Sequence, residues 1–338
     1  MRLSVLDQSP IRAGATPADA IAESVELARI CDRLGYHRYW LAEHHASGGL
    51  AGAAPEILIG HIAAATKDIR VGSGGVMLNH YSSLKVAETF RMLETLHPGR
   101  IDLGLGRAPG SDQHTMQALR AGPGSASIDY YPRQVLDVIG FMANDLEEDH
   151  PFRDIVAQPA GDTSPEVWLL GSSMDSASYA AHFGLPFSFA HFITPRGGDM
   201  VAEAYRNRYQ PSERHPEPHI NVGVFALAAD TDERAQYLIK SRNLWLIRLM
   251  KGEWGPFPTP EEADAYDYGP QDMAMLEANR GRSIAGTPDV VGRQLRELAD
   301  SYQTDELTIV TISHDFDARV RSYELLAEEF GLTRRAAA

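Results

Sequence analysis

Strand-like and helix-like segments take turns along almost the whole chain, and no other feature restricts its fold so strongly. Short apolar runs at Leu3–Leu6, Tyr39–Ala42, Ile69–Leu78, Ile101–Gly106, Val167–Leu170, Phe187–Phe192, Ile220–Ala228 and Leu307–Ile312 read as eight strands. Between them, apolar residues recur at helical spacing. The stripe Ile21, Val25, Ala28, Cys31 and Leu34 comes first, then Ile57–Ala65, Leu84–Leu96, Val135–Met142, Asp175–Phe183, Val201–Tyr209, Glu233–Met250, Asp289–Ala299 and Ala318–Phe330. Local chemistry agrees: Thr16-Pro17-Ala18-Asp19 is a helix start and Gly35 a helix stop. Repeated strand–helix units predict a parallel sheet closed into a (β/α)8 TIM barrel, with an open doubly wound sheet as the alternative. A Pro- and acid-rich stretch, Gly252–Arg282, interrupts the alternation between strands seven and eight and reads as an inserted lid or loop. Residues 1–338 are expected to form one barrel domain, since barrels reach this length as a unit.

Composition narrows the partners. The net charge is −15, which argues against nucleic acid or an acidic membrane surface as a partner. No apolar run approaches the roughly 18 residues of a membrane span, and the chain opens directly in a strand without a signal-like segment. A cytoplasmic location is the expectation. Cys31, the single cysteine, sits on an apolar helix stripe and reads as core filler.

In such a barrel, functional groups gather where strands end and βα loops begin. The residues at those ends are Asp7 and Gln8; Glu43, His44 and His45; Asn79 and His80; Arg107; Ser172 and Ser173; His191 and Thr194; and Ser313, His314 and Asp315. A metal is not expected: His44 and His45 are adjacent, so on a strand they point to opposite faces, and no metal-ligand spacing occurs. Gly171-Ser172-Ser173 does not continue into a nucleophile elbow, a P-loop is absent, and Gly104, Gly106 and Gly110 are spaced one residue too widely for a dinucleotide fingerprint. What does stand out is an anion site. Small hydroxyl residues lead from strand five into a helix whose N–H groups and dipole favour phosphate, with serines capping the helix as the plainer alternative. Arg107 ends neighbouring strand four, where Gly104 and Gly106 allow close approach, and its guanidinium could share that phosphate. Its plainer alternative is an ion pair at the barrel rim. A phosphate anchor beside neutral strand ends suggests a phosphorylated aromatic cofactor.

Several stretches then combine in one order: Tyr39-Trp40-Leu41-Ala42-Glu43-His44-His45, Val71-Gly72-Ser73-Gly74-Gly75, and His97-Pro98-Gly99-Arg100-Ile101-Asp102-Leu103-Gly104-Leu105-Gly106-Arg107. Ser173-Met174-Asp175-Ser176-Ala177, Ala180–Pro186 and Gly286-Thr287-Pro288 complete the set. On these the chain resembles the bacterial luciferase-like flavin-dependent monooxygenases nearly end to end. The resemblance implies a luciferase-like barrel and a homodimer. It implies reduced FMN (FMNH2) as cosubstrate with O2 and a small organic substrate, and a separate NAD(P)H:flavin reductase as supplier. It places the FMN phosphate on Arg107, the Ser173 amide and the Ser176 hydroxyl, and the strand-end residues Ser172 and Asn79 join them as cofactor-binding candidates. It sets Gly74-Gly75 where relatives have a non-prolyl cis peptide under the flavin ring. His44 becomes the acid/base or proton-relay group, with His45 structural. Gly106 stands where the luciferases carry a reactive cysteine, so general oxygenation is implied rather than light emission. The 252–282 segment would cover the flavin as a substrate lid. Two rival functions remain at this stage: an F420-dependent hydride transferase on the same barrel, for which the anchor offers few basic residues beyond Arg107 and Arg120, and a non-catalytic flavin-binding protein.

Overall fold

The structure is a computed structural model and describes residues 1–107, 113–119 and 128–333. Gly110 and Arg120 lie outside the described residues. Among the described residues there are nine parallel strands: β1 Arg2–Asp7, β2 Arg38–Leu41, β3 Arg70–Met77, β4 Ile101–Gly106, β5 Glu166–Gly171, β6 Phe187–Ala190, β7 Ile220–Ala228, β8 Ser283–Gly286 and β9 Glu306–Val310. Pairing runs in order from β1 to β7, then from β7 to β9 and from β9 back to β1. Eight strands therefore close into a TIM barrel, and β8 is the ninth. It pairs with the upper half of β7, Phe225 to Ala228, beyond the point where β6 stops at Gly223.

The surrounding helices are α1 Pro17–Leu34, α2 Pro55–Ala65, α3 Ser83–Leu96, α4 Gln113–Leu119, α5 Tyr131–Ala143, α6 Met174–His182, α7 Gly198–Arg208, α8 Asp232–Met250, α9 Pro260–Ala265, α10 Pro270–Asn279, α11 Pro288–Tyr302 and α12 Phe316–Glu329. α1 shows how the sequence sets such an element. Thr16 and Asp19 cap each other's backbone N–H groups, Pro17 opens the helix, and Gly35 ends it at φ 86°, the left-handed region that glycine tolerates. No described helix is long and apolar enough to cross a membrane. The insertion is not a plain loop: it contains α9 and α10, and it leads into β8. Both helices start on readable signals, Thr259-Pro260 and Gly269-Pro270 with acids following, which the density of prolines and acids masks.

The strands sort side chains by parity. Leu3, Val5, Tyr39, Leu41, Val71, Leu103 and Leu105 face outward and pack against Cys31, Ile59, Ile62 and Phe90 of the helices. Each such fully buried side chain contributes about 1.5–3 kcal/mol. The other parity fills the barrel. Its floor is ionic: Arg38 reaches Glu306 (3.0 Å), Asp102 (2.8 Å) and Glu166 (3.0 Å). Ser4 and Asn221 donate to Glu306, and the Trp40 indole donates to Asp102. Burial alone would raise the Glu306 carboxyl, but the His219 hydrogen bond and the Arg38 charge outweigh it and hold it well below its usual range. Above the floor Trp40 and Trp168 meet edge to face at 5.3 Å.

Candidate active site

Above the two tryptophans the inward positions become small, and that makes room. Gly74 and Gly75 on β3, Gly106 on β4, Ser188 and Ala190 on β6, and Gly223 on β7 line a cavity of about 410 Å3, closed on its sides by Leu6, Trp40, Met77, Leu170, Phe192 and Ile193. The volume lies within the roughly 300–1,000 Å3 of small-molecule sites. The glycines are sterically fixed. A Cβ on Gly75 would stand 2.7 Å from the Gly104 carbonyl, and one on Gly74 would stand 2.6 Å from Leu6. The Gly74–Gly75 peptide is cis, and the register to β4 shifts there.

The rim of this cavity holds the expected anion site. Gly106 pairs with Leu170 across β4 and β5, so Arg107 and Ser172, just past those ends, stand on neighbouring corners. Ser173 caps α6 by accepting from the Ser176 N–H, and the two hydroxyls lie 3.2 Å apart. Arg107, Ser172, Ser173 and Ser176 all line the cavity. Among the described residues the acid that pairs with Arg107 is Asp175, at 3.4 Å and mostly exposed. Pairs of that kind are worth ~0–1 kcal/mol, so the guanidinium stays available to a stronger anion. Six of the eight candidate site residues thus come together.

His44 and Asn79 do not line that cavity. The His44 backbone donates to Gly52, and its ring Nδ1 is buried with no partner among the described residues. Burial, helped by neighbouring His45, lowers the His44 imidazole to about 4, so it is neutral at pH 7. Its neighbour Glu43 is a hub: it meets the His45 ring at 2.6 Å and accepts from the Tyr81 hydroxyl and from the N–H of Met77, a cavity residue. Asn79 lies on the turn after β3 and donates to Gln134. Three other strand-end residues are engaged in the scaffold. Asp7 turns outward to Arg319 and Tyr39, His191 meets the Tyr302 hydroxyl, and Asp315 caps α12. Sequence reading missed Leu6, Trp40, Leu170, Ser188, Gly223 and Thr308 as lining residues. Strand parity was the signal that pointed to them.

The assembly offers a slot with apolar walls, a backbone face at Gly74-Gly75, and an oxyanion anchor at one end. A sequence profile of the family described as luciferase-like monooxygenase matches residues 1–305. Over 330 residues the chain is 38% identical to the N-acetyl-S-alkylcysteine monooxygenase of Bacillus subtilis (strain 168), covering 97% of this chain and 98% of that one. The crystal structure of apo-MsnO8 aligns at a TM-score of 0.92 and 42% identity, over 99% of each chain. The oxygenating constituent of 3,6-diketocamphane monooxygenase from Pseudomonas putida, solved with FMN, shares the fold at a TM-score of 0.69 and 19% identity, over 97% of each chain.

Proposed function

The chain belongs to the luciferase-like monooxygenase family, and we propose that it is an FMN-dependent monooxygenase taking reduced FMN and O2 to oxygenate a small organic substrate. One observation carries the reading: a guanidinium and a helix N-terminus converge with a glycine backbone wall on a single apolar cavity at the barrel mouth. That lining fits a flavin mononucleotide. Arg107, the α6 N-terminus with Ser173, and Ser176 would hold the phosphate. Gly74-Gly75, Leu6 and Leu170 would line the apolar part of the slot that takes the ring. The bound reduced flavin supplies the electrons and activates oxygen. The protein's own contribution is position and dryness: Trp40, Leu170 and Phe192 would exclude water around the reacting atoms. His44 does not line the cavity, so its neutral imidazole, with an unpartnered buried Nδ1, would act as a proton relay from behind the wall rather than in contact with the reacting atoms.

We read residues 1–338 as one barrel domain, with 252–282 as its inserted lid segment. Phe257 pairs with the backbone of Ile11 and Ala13 in the loop after β1, which supports a position over the mouth. A cytoplasmic homodimer supplied by a NAD(P)H:flavin reductase completes the proposal.

The test is a titration of oxidised FMN, reduced FMN and F420 into the protein and its Arg107→Ala variant. Preference for reduced FMN, weakened in the variant by about 2 kcal/mol or roughly thirtyfold in Kd, is expected. F420 binding instead would replace the oxygenase with a hydride transferase, and absence of any flavin binding would reduce Ser172 and Ser173 to helix caps.

A further inference from the structure

α8 carries an arginine on the face where a helix packed on a core carries aliphatic residues. Arg242 follows Leu238 and Ile239 by four and three residues and precedes Trp245 by three, so the four share one face. Leu238 and Ile239 belong to the barrel-interior cluster that includes Leu6 and Trp40, two walls of the cavity, and Trp245 packs on the same cluster. A Cβ on Gly49, in the loop after β2, would stand 3.6 Å from the Trp245 indole nitrogen, so this face of α8 lies near that loop as well as on the barrel-interior cluster. The Arg242 guanidinium lies 4.3 Å from the centre of the Phe225 ring, two residues past the cavity glycine Gly223.

Arg242 is only 8% exposed, yet it makes no hydrogen bond or ion pair with any described residue. Buried charges are as a rule paired. Here the neighbouring charge is a second cation: half-buried Arg282 directly precedes Ser283, the residue that pairs with Phe225. Arg282 has no ion pair among the described residues either. Burial and the Arg282 charge draw Arg242 down to about 10, so it is still protonated at neutral pH. A chain with 46 acids against 31 basic residues does not lack carboxylates to place there. The aromatic face of Phe225 supports the guanidinium from one side and leaves its N–H fork free.

We propose that Arg242 and Arg282 bind an oxyanion group of the organic substrate, a carboxylate, on the β7–β8 side of the barrel mouth, apart from the Arg107 anchor at the β4–β5 rim. The proposal rests on the oxygenase reading and names the substrate class it takes: apolar molecules bearing an acid group. The flavin phosphate has the same oxyanion chemistry, so the test separates the two sources. Hexanoate, 1-hexanol and hexylamine are titrated calorimetrically into flavin-free and FMN-loaded protein, for the wild type, Arg242→Met, Arg242→Lys and Arg107→Ala. The expected result is hexanoate at least tenfold tighter than hexanol in the wild type. Arg242→Met abolishes that preference and leaves hexanol and FMN affinity unchanged, with a Tm at or above wild type because an unpaired buried charge has gone. Arg242→Lys keeps part of the preference. The proposal is overturned by hexanoate no tighter than hexanol in both forms, or by Arg242→Met lowering Tm without altering ligand preference. It is also overturned if Arg242→Met weakens FMN tenfold while Arg107→Ala does not, which would assign the pair to the cofactor phosphate. Loss of the oxygenase reading looks different: no flavin binds the wild type while the hexanoate preference persists.

Discussion

His44 holds a ring nitrogen that is buried and without a partner, on an imidazole kept neutral by its surroundings. The sign of its effect on stability follows. The folded pKa of about 4 lies below the ordinary 6.5, so between those values the unfolded chain binds the extra proton. Stability from this residue is complete above pH 6.5 and is lost as pH falls toward 4. NMR titration of the flavin-free protein should show His44 neutral from pH 8 to 5. His44→Gln should leave the FMN Kd within about threefold and lower oxygenation by roughly 10²–10⁴, the usual contribution of a general acid or base. A turnover loss matched by an equal loss of FMN affinity would count against the role. The residue itself was legible in Tyr39–His45, because an imidazole at a strand end is conspicuous. The Glu43 hub behind it was not, since which of three adjacent polar side chains turns inward depends on how the chain leaves β2. Arg242 was invisible for another reason: one arginine in a long helix reads as a solvated position until the neighbours across the barrel are known.

β4 shows an element working at a scale above its residues. Its inward glycines leave space where β2 and β5 contribute tryptophans, and Gly106 adds to the room that small residues on β3, β6 and β7 also leave. A Cβ on Gly104 would collide with the Ser73 carbonyl and stand 2.7 Å from Leu170 Cδ1. Because one obstacle is backbone, the strand must shift. Gly104→Ala should cost roughly 1–3 kcal/mol in urea unfolding and weaken FMN binding together with it. Unchanged stability and binding would mean that β3 and β4 yield more easily than their register implies. The main strands and helices were legible because parity and helical period repeat along the chain, with ends displaced by a few residues: Phe187–Phe192 is strand only to Ala190. The four residues of β8 were not, because Ser283–Gly286 is too short to show alternation and gains its place only by adding to β7. α4 was not among the helices read from the sequence, which pass from the strand Ile101–Gly106 to the helix Val135–Met142.

At the scale of the molecule, the ionic floor ties three strands of the barrel, β4, β5 and β9, to β2 through one side chain. Arg38→Met would leave Asp102 and Glu306 buried without their shared cation, and a loss of about 3–5 kcal/mol is expected in chemical denaturation. The acid limb of stability should flatten with it. Both carboxyls are held below their unfolded values, so their contribution is present above about pH 4 and disappears as pH falls through the folded pKa. A variant as stable as the wild type, with the same acid limb, would show that the floor is held by packing of the tryptophans alone. The closed floor has a further consequence for traffic. With Arg38, Asp102, Glu306, Trp40 and Trp168 all buried beneath it, the cavity is a cul-de-sac, and whatever settles deepest can depart only after the later arrivals above it have gone.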